Sequence, residues 1–211
     1  MAETNDSKWS EELSDRYSVE WKNAINIVRN RFNERYFDPI DEMIKHERKE
    51  IRTRVGFIIM SIDCLLIETL NQFLFGIEDT NVRYNRSNPD NNFKYNSQAF
   101  RDFFNYSTYF PVFKSTNGLS KIFYDEIRCG LLHQAQTKTN SLINIKSSDM
   151  VRPVDKQDFN NGIEINRNLF HYALQDEYNK YFKDLQDPES KNLDGEYLRD
   201  MCNRKMKELI K

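Results

Sequence analysis

The chain has 211 residues, enough for one well-buried core, and carries 31 Lys and Arg against 33 Asp and Glu. A formal net charge of -2 excludes a global positive field that would draw in nucleic acid, so any contact with a polyanion must come from a local patch. Only 38% of the residues are hydrophobic, yet 13% are aromatic, which argues against disorder; six Gly and five Pro supply few forced turns and favour long helices over a many-stranded sheet.

Residues 1–14 read as a disordered tail without the basic start and apolar stretch of a signal peptide. A first helix places Trp21, Ile25, Val28 and Phe32 on one stripe and ends near Tyr36. Asp38-Pro39 then reads as a helix start, with Asp41 and Glu42 at the positive end of the dipole. From Ile40 an apolar stripe runs through Ile44, Ile51, Val55, Ile58, Ile62 and Leu65 to Phe73, as one very long helix or as two with a kink near Gly56, and Gly76 is the expected stop. The most apolar part, Val55 to Leu70, is interrupted by Asp63 and Glu68 and reads as too short and too charged to span a bilayer. The dense basic stretch from Lys45 to Arg54 contains glutamates at i,i+4 spacing, which suits a solvated helix face better than a phosphate track.

Residues 77–96 are polar and rich in Asn and read as a long loop. There Tyr84, Phe93 and Tyr95 interleave with Arg83, Arg86 and Lys94, a combination that serves stacking and charge neutralisation on single-stranded RNA or anchors the loop to the core. A short aromatic helix spans 97–110 and is closed by Pro111; another runs from Leu119 to Ala135. SLINIKSS and NNGIEIN alternate like two short strands, a hairpin near 142–166. A helix at 166–185, a linker at 187–195 and a terminal helix at 197–210 complete the chain. The expected architecture is mainly α: a bundle of four to five long helices over 15–186, a small β excursion, and the 187–211 segment packed on the same domain.

Cys64, Cys129 and Cys202 are far apart and odd in number, which suggests reduced thiols in a cytoplasm, and no Cys/His spacing suits zinc. No phosphate-binding glycine loop, nucleophile elbow or HExxH is present. The chemistry instead concentrates in Arg128-Cys129-Gly130-Leu131-Leu132-His133. Arginine holds a phosphate as a permanent cation with a planar fork of donors, and histidine exchanges a proton near neutral pH. On an ideal helix the two lie about 140° apart and about 7.5 Å along the axis, a distance the long arginine can bridge toward a ligand beside His133. Glu68, in the polar stripe Ser61, Cys64, Glu68 and Asn71, and Asp63 are candidates to orient the pair from a neighbouring helix, and Lys138 is a candidate phosphate contact by proximity.

The string FYDEIRCGLLHQAQTK, with an arginine followed five positions later by a histidine late in an all-helical chain, resembles the HEPN (higher eukaryotes and prokaryotes nucleotide-binding) family, by motif over about 119–138 and by helix order over about 18–186. The resemblance implies a metal-independent, cofactor-free endoribonuclease. It would act as a homodimer whose two motifs face each other, with Arg128 polarising the scissile phosphate and His133 serving as general base or acid. It also implies a cytoplasmic toxin or phage-defence effector with RNA as substrate, an antitoxin or regulatory protein as partner, and no membrane partner. Active members commonly carry a polar residue after the arginine, where this chain has Cys129. That departure suits a rival reading, a non-catalytic helical module of the same type that binds nucleotide, RNA or protein.

Overall fold

The computed structural model describes residues 12–47, 52–77, 96–155 and 157–209. Its architecture is mainly helical with a small three-stranded sheet, as the periodicity predicts. In chain order the elements are α1 (Trp21–Phe32), a π-helical turn (Asn33–Phe37), α2 (Asp38–Lys45), α3 (Arg52–Phe75), α4 (Asn96–Tyr106), α5 (Pro111–Ser115), α6 (Leu119–Ile122), a second π-helical turn (Phe123–Arg128), α7 (Cys129–Gln134), β1 (Leu142–Asn144), β2 (Val151–Pro153), β3 (Ile163–Asn166), α8 (Arg167–Asp184) and α9 (Leu198–Leu209). Most of the stretch read as an N-terminal tail lies outside the described residues, but Leu13 within it is buried in the core and its carbonyl accepts from Asn203 Nδ2 at 3.1 Å.

The break expected at Tyr36 does not occur. The helix continues through the π turn, where the Asp38 N–H donates to Asn33 O five residues back, and Pro39 follows inside the same rod. A proline removes one donor from the helical ladder, and a wider turn placed just ahead of it absorbs that loss without ending the helix. The long apolar stripe is split before Gly56 rather than at it: α2 stops at His46, and Gly56 lies inside α3, where a Cβ would stand 3.2 Å from Arg167 Cδ and from Ile143 Cγ2. Gly76, at φ 61°, ends α3 as expected of a residue free to adopt the left-handed conformation.

α3 is the central rod. By length and composition its stretch Val55–Phe75, with a mean hydropathy of 1.5, is apolar enough to cross a membrane, contrary to the sequence expectation; in the fold it is the core helix, and more than half of it is buried. Ile59, Met60, Cys64, Leu66, Ile67, Leu70, Phe73 and Leu74 are all at most 2% exposed. Against it pack α4, α7, α8 and α9. A run of phenylalanines, Phe100, Phe103, Phe104, Phe110, Phe113, Phe123 and Phe170, fills the space between α4, α5, the second π turn and α8, with ring centroids typically 5–6 Å apart in edge-to-face or tilted contact.

The sheet has the order β1-β3-β2. β3 is central and buried at every residue; β2 and β3 form the antiparallel hairpin, and β1 joins β3 in parallel, with Ile143 opposite Ile165. The two strands read from sequence are therefore parallel neighbours, and the hairpin partner β2 lies between them in the chain. The Asn166 side chain closes the excursion by accepting from the N–H groups of Asn168 and Leu169, which caps α8.

Candidate active site

The segment that carries the central motif is a helical rod made of α6, the second π turn and α7. Phe123 and Ile127 anchor it in the core at 0% exposure. π turns occur often at functional sites, and here one ends on Arg128 itself. After α7 the chain turns back sharply at Ala135, which takes a left-handed φ of 53°. Residues 136–138 then cross the helix over Gly130. The Gln136 N–H donates to Gly130 O at 3.3 Å and the Lys138 N–H to Glu126 O at 2.9 Å. Gly130 makes this crossing possible, because a Cβ there would stand 2.4 Å from Gln136 O and 3.0 Å from Lys138 N. Glu126 also ties the return to the sheet: its carboxylate accepts from the Ser141 hydroxyl, and the same Ser141 oxygen accepts from the Ile163 N–H at 2.9 Å.

Arg128 and His133 converge despite their separation on an ideal helix: Arg128 Nη1 lies 3.4 Å from His133 Nε2. A guanidinium has only donors, so at this contact Nε2 is the acceptor. From α3, Glu68 Oε1 accepts from Arg128 Nε at 2.7 Å. Arg128 is 8% exposed, while His133 and its neighbour Leu132 face outward. The Tyr124 ring, one turn before Arg128, lies 5.5 Å from the guanidinium carbon. Burial pulls the Arg128 guanidinium downward, but the hydrogen bond and the field of Glu68 outweigh it, so its pKa rises and the cation is held firmly. Burial, and after it the adjacent Cys129 thiol, push the Tyr124 phenol up to about 12, which keeps it a neutral donor. Cys129, on the motif helix beside Tyr124, is half-buried, whereas Cys64 near it is fully buried and pushed well upward, by burial first and then by Asp63.

Of the two carboxylates considered as orienting partners, Glu68 meets Arg128 and Asp63 does not. Asp63 and Glu68 are five residues apart on α3 and point to different neighbours; Asp63 instead accepts from, or is paired with, His171 Nδ1 at 2.7 Å, both at 0% exposure. Burial raises the Asp63 carboxyl above its ordinary value even though His171 pulls it down. On the far side His171 Nε2 lies 3.8 Å from Asp41 Oδ1, and Gln175 Nε2 holds Asp41 Oδ2 at 2.8 Å. No neighbour in sequence marks His171 as one half of a buried pair. The signal was Asp63 itself, since a carboxylate in a buried stripe needs a polar mate from another element.

Lys138 reaches the neighbourhood through its backbone, and among the described residues its side chain forms no ion pair. Tyr84, Arg86 and the aromatic-basic loop around them lie outside the described residues, as does part of the basic stretch. Of the described part of that stretch, Lys45 and His46 pair with Glu42 on an exposed face at 3.1 and 3.0 Å, as the solvated-face reading expects. Glu47 forms a buried ion pair with Arg167, which is only 1% exposed. Tyr124 was missed altogether, although an aromatic residue four positions before an arginine on one helix could have pointed to it. Among the described residues no group of three or more His, Cys, Asp or Glu could hold a metal ion. Comparisons with protein-family models, with curated proteins and with solved structures found no match.

Proposed function

We propose that this chain is a metal-independent endoribonuclease of the HEPN type, cytoplasmic and homodimeric, acting as a toxin or phage-defence effector. The observation that carries the reading is the convergence of Arg128 on His133 at 3.4 Å with Glu68 gripping the same guanidinium at 2.7 Å. A carboxylate–arginine–histidine row of this kind presents a cation and a proton acceptor side by side, on a rod fixed in the core. In the reaction the RNA 2′-OH attacks the adjacent phosphorus as the bond to the 5′ oxygen breaks, leaving a 2′,3′-cyclic phosphate and a 5′-OH. His133 takes the 2′-OH proton or supplies one to the leaving oxygen, and Arg128 stabilises the charge that gathers on the non-bridging oxygens. One copy cannot be base and acid in the same step, so a second copy across a twofold axis completes the set. Leu132 beside His133 and Ile58 on the outer face of α3, 44% and 49% exposed, offer apolar surface for that association. The partner that would restrain such an enzyme is an antitoxin or regulatory protein.

The rival, a non-catalytic HEPN-like binding module, is favoured by one observation: Arg128 is 8% exposed and already paired, so Glu68 offsets much of its charge before any phosphate arrives. Incubation of wild type, Arg128→Ala and His133→Ala with RNA in EDTA separates the two. The enzyme reading expects wild-type cleavage to cyclic-phosphate ends, abolished by both substitutions. An intact wild-type dimer that leaves RNA uncut refutes it.

A further inference from the structure

A groove of about 370 Å³ opens between α1 and α3, near the C-terminal part of α9. That volume lies within the range of small-molecule sites, roughly 300–1,000 Å³. Its floor is Phe32 and Phe73, and the half-buried Tyr36 ring stands beside Phe32 at 6.1 Å. Its rim carries Leu65, 46% exposed, and two arginines, Arg31 and Arg35. The arginines are four apart on one helix and therefore face the same way. Both are exposed, and among the described residues neither has an ion-pair partner; no carboxylate lines the groove. An apolar, partly aromatic trough with a one-signed cationic edge complements an anionic strand with flat apolar bodies.

The position of the groove gives that complementarity a direction. Leu65 and Gln72 on its α3 wall lie three residues before and four residues after Glu68, so they are helical neighbours of the carboxylate that holds Arg128. Along α3, Leu65 and Gln72 stand within about one helical turn, roughly 5 Å, of Glu68.

We propose that this groove is a binding subsite for single-stranded RNA: the strand flanking the scissile bond lies along it, with one base on Tyr36 against Leu65 and its phosphates on Arg31 and Arg35. This rests on the reading of the chain as a ribonuclease for its substrate, but the subsite can be tested without cleavage. The probe is a short, fluorescently labelled single-stranded RNA with every 2′-oxygen methylated, which cannot undergo the internal attack, and binding to the full chain is followed by anisotropy over a range of salt. The variants are Arg31→Glu/Arg35→Glu and Tyr36→Ala, with circular dichroism and unfolding midpoints to show that each is folded. Two lost phosphate contacts lower the slope of log affinity against log salt by about 1.4. Loss of a stacking surface weakens binding by about 5- to 150-fold. With cleavable RNA, both variants should raise KM for a long strand by more than they raise it for a dinucleotide. Folded variants that bind the methylated RNA with wild-type affinity and salt slope overturn the subsite, as does a wild type that does not bind single-stranded RNA at all. Binding that depends on these residues in a protein that never cuts RNA would sink the ribonuclease reading and leave the subsite standing.

Discussion

Replacing Gly130 by alanine tests whether the crossing over the motif helix is as tight as the geometry requires. The new Cβ would stand 2.4 Å from Gln136 O, 3.0 Å from Lys138 N and 3.2 Å from Thr137 Cα, all backbone atoms with no flexible end to yield. Ordinary contact begins near 3.4 Å, so the 136–138 segment must move by about 1 Å. Such a shift stretches the Gln136–Gly130 and Lys138–Glu126 hydrogen bonds, now 3.3 and 2.9 Å, each worth about 1 kcal/mol. Overpacking strain adds about 1–3 kcal/mol. Alanine recovers about 1 kcal/mol through its better helix propensity. The net loss is about 2–4 kcal/mol, which for a chain of this size lowers the melting temperature by about 5–15 °C. Gly118→Ala is the control: at φ 78° with nothing within 4 Å, it carries only left-handed backbone strain, about 1–2 kcal/mol. Thermal and urea unfolding of the two variants measure the difference. A Gly130→Ala protein as stable as wild type, or more stable, would refute the claim that the backbone crossing selects glycine.

Glu68→Gln should destabilise the fold by about 3 kcal/mol, the lower end for one partner removed from a buried pair because the side chains keep 10% and 15% exposure, whereas Glu68→Leu/Arg128→Met should return to within about 1 kcal/mol of wild type; a Glu68→Gln effect under about 0.5 kcal/mol in urea unfolding would show that the pair is not formed. Arg152 chiefly, and Asn144 after it, holds the Glu164 carboxyl below its ordinary 4.5, against the upward pull of burial. A depressed carboxyl contributes stability that is present above the ordinary value and disappears as pH falls through the folded one. Arg152→Met should therefore destabilise the fold at neutral pH and progressively less in acid, and a cost that does not shrink below pH 4.5 contradicts the assignment. Native-state alkylation followed by mass spectrometry should modify the half-buried Cys129 alone, while Cys64 and Cys202, at 0% and 2% exposure, react only after unfolding; early labelling of Cys64 would contradict its burial beneath the site.

The helices were legible because their signal is local. Trp21, Ile25, Val28 and Phe32 recur at helical spacing and are buried, and Asn166 was readable as the start of α8 because a side-chain cap sits two to three residues from the N–H groups it caps. What escaped depended on partners elsewhere. Pro39 reads locally as a boundary, but the stripe Phe32, Phe37 and Ile40 stays against the core only if the rod continues, and the π turn lets it. β2 is three residues long and ends in proline, a pattern with no strand signal of its own; it pairs because it lies at the sheet edge, where a missing donor costs little. The site divides in the same way. Arg128, His133 and Glu68 were found from residue type and helical stripe, whereas Asp63 found its mate 108 residues away in His171, a pairing that no spacing rule reaches.

The electrostatics of the site make the groove more than an accessory to the proposed reaction. Arg128 carries its charge against the Glu68 carboxylate at 2.7 Å, and the chain as a whole is at -2, so neither the centre nor the global field attracts a phosphate strongly before it is in contact. At physiological salt, exposed charges act over about 8 Å, which leaves local cations without an ion-pair partner among the described residues to capture the strand. Arg31 and Arg35 are such cations, in a groove whose α3 wall carries Leu65 and Gln72, helical neighbours of Glu68. A strand held there delivers its phosphate to Arg128 already close, where the guanidinium gains most from charge that grows in the transition state rather than from charge present at the start. The pairing with Glu68 then has a consequence for kinetics. Arg31→Glu/Arg35→Glu should act on KM for long RNA, and Arg128→Lys, which keeps the charge and loses the fork shared between carboxylate and phosphate, should act on kcat. Equal losses of kcat in both variants would mean that capture and chemistry are not divided between groove and motif.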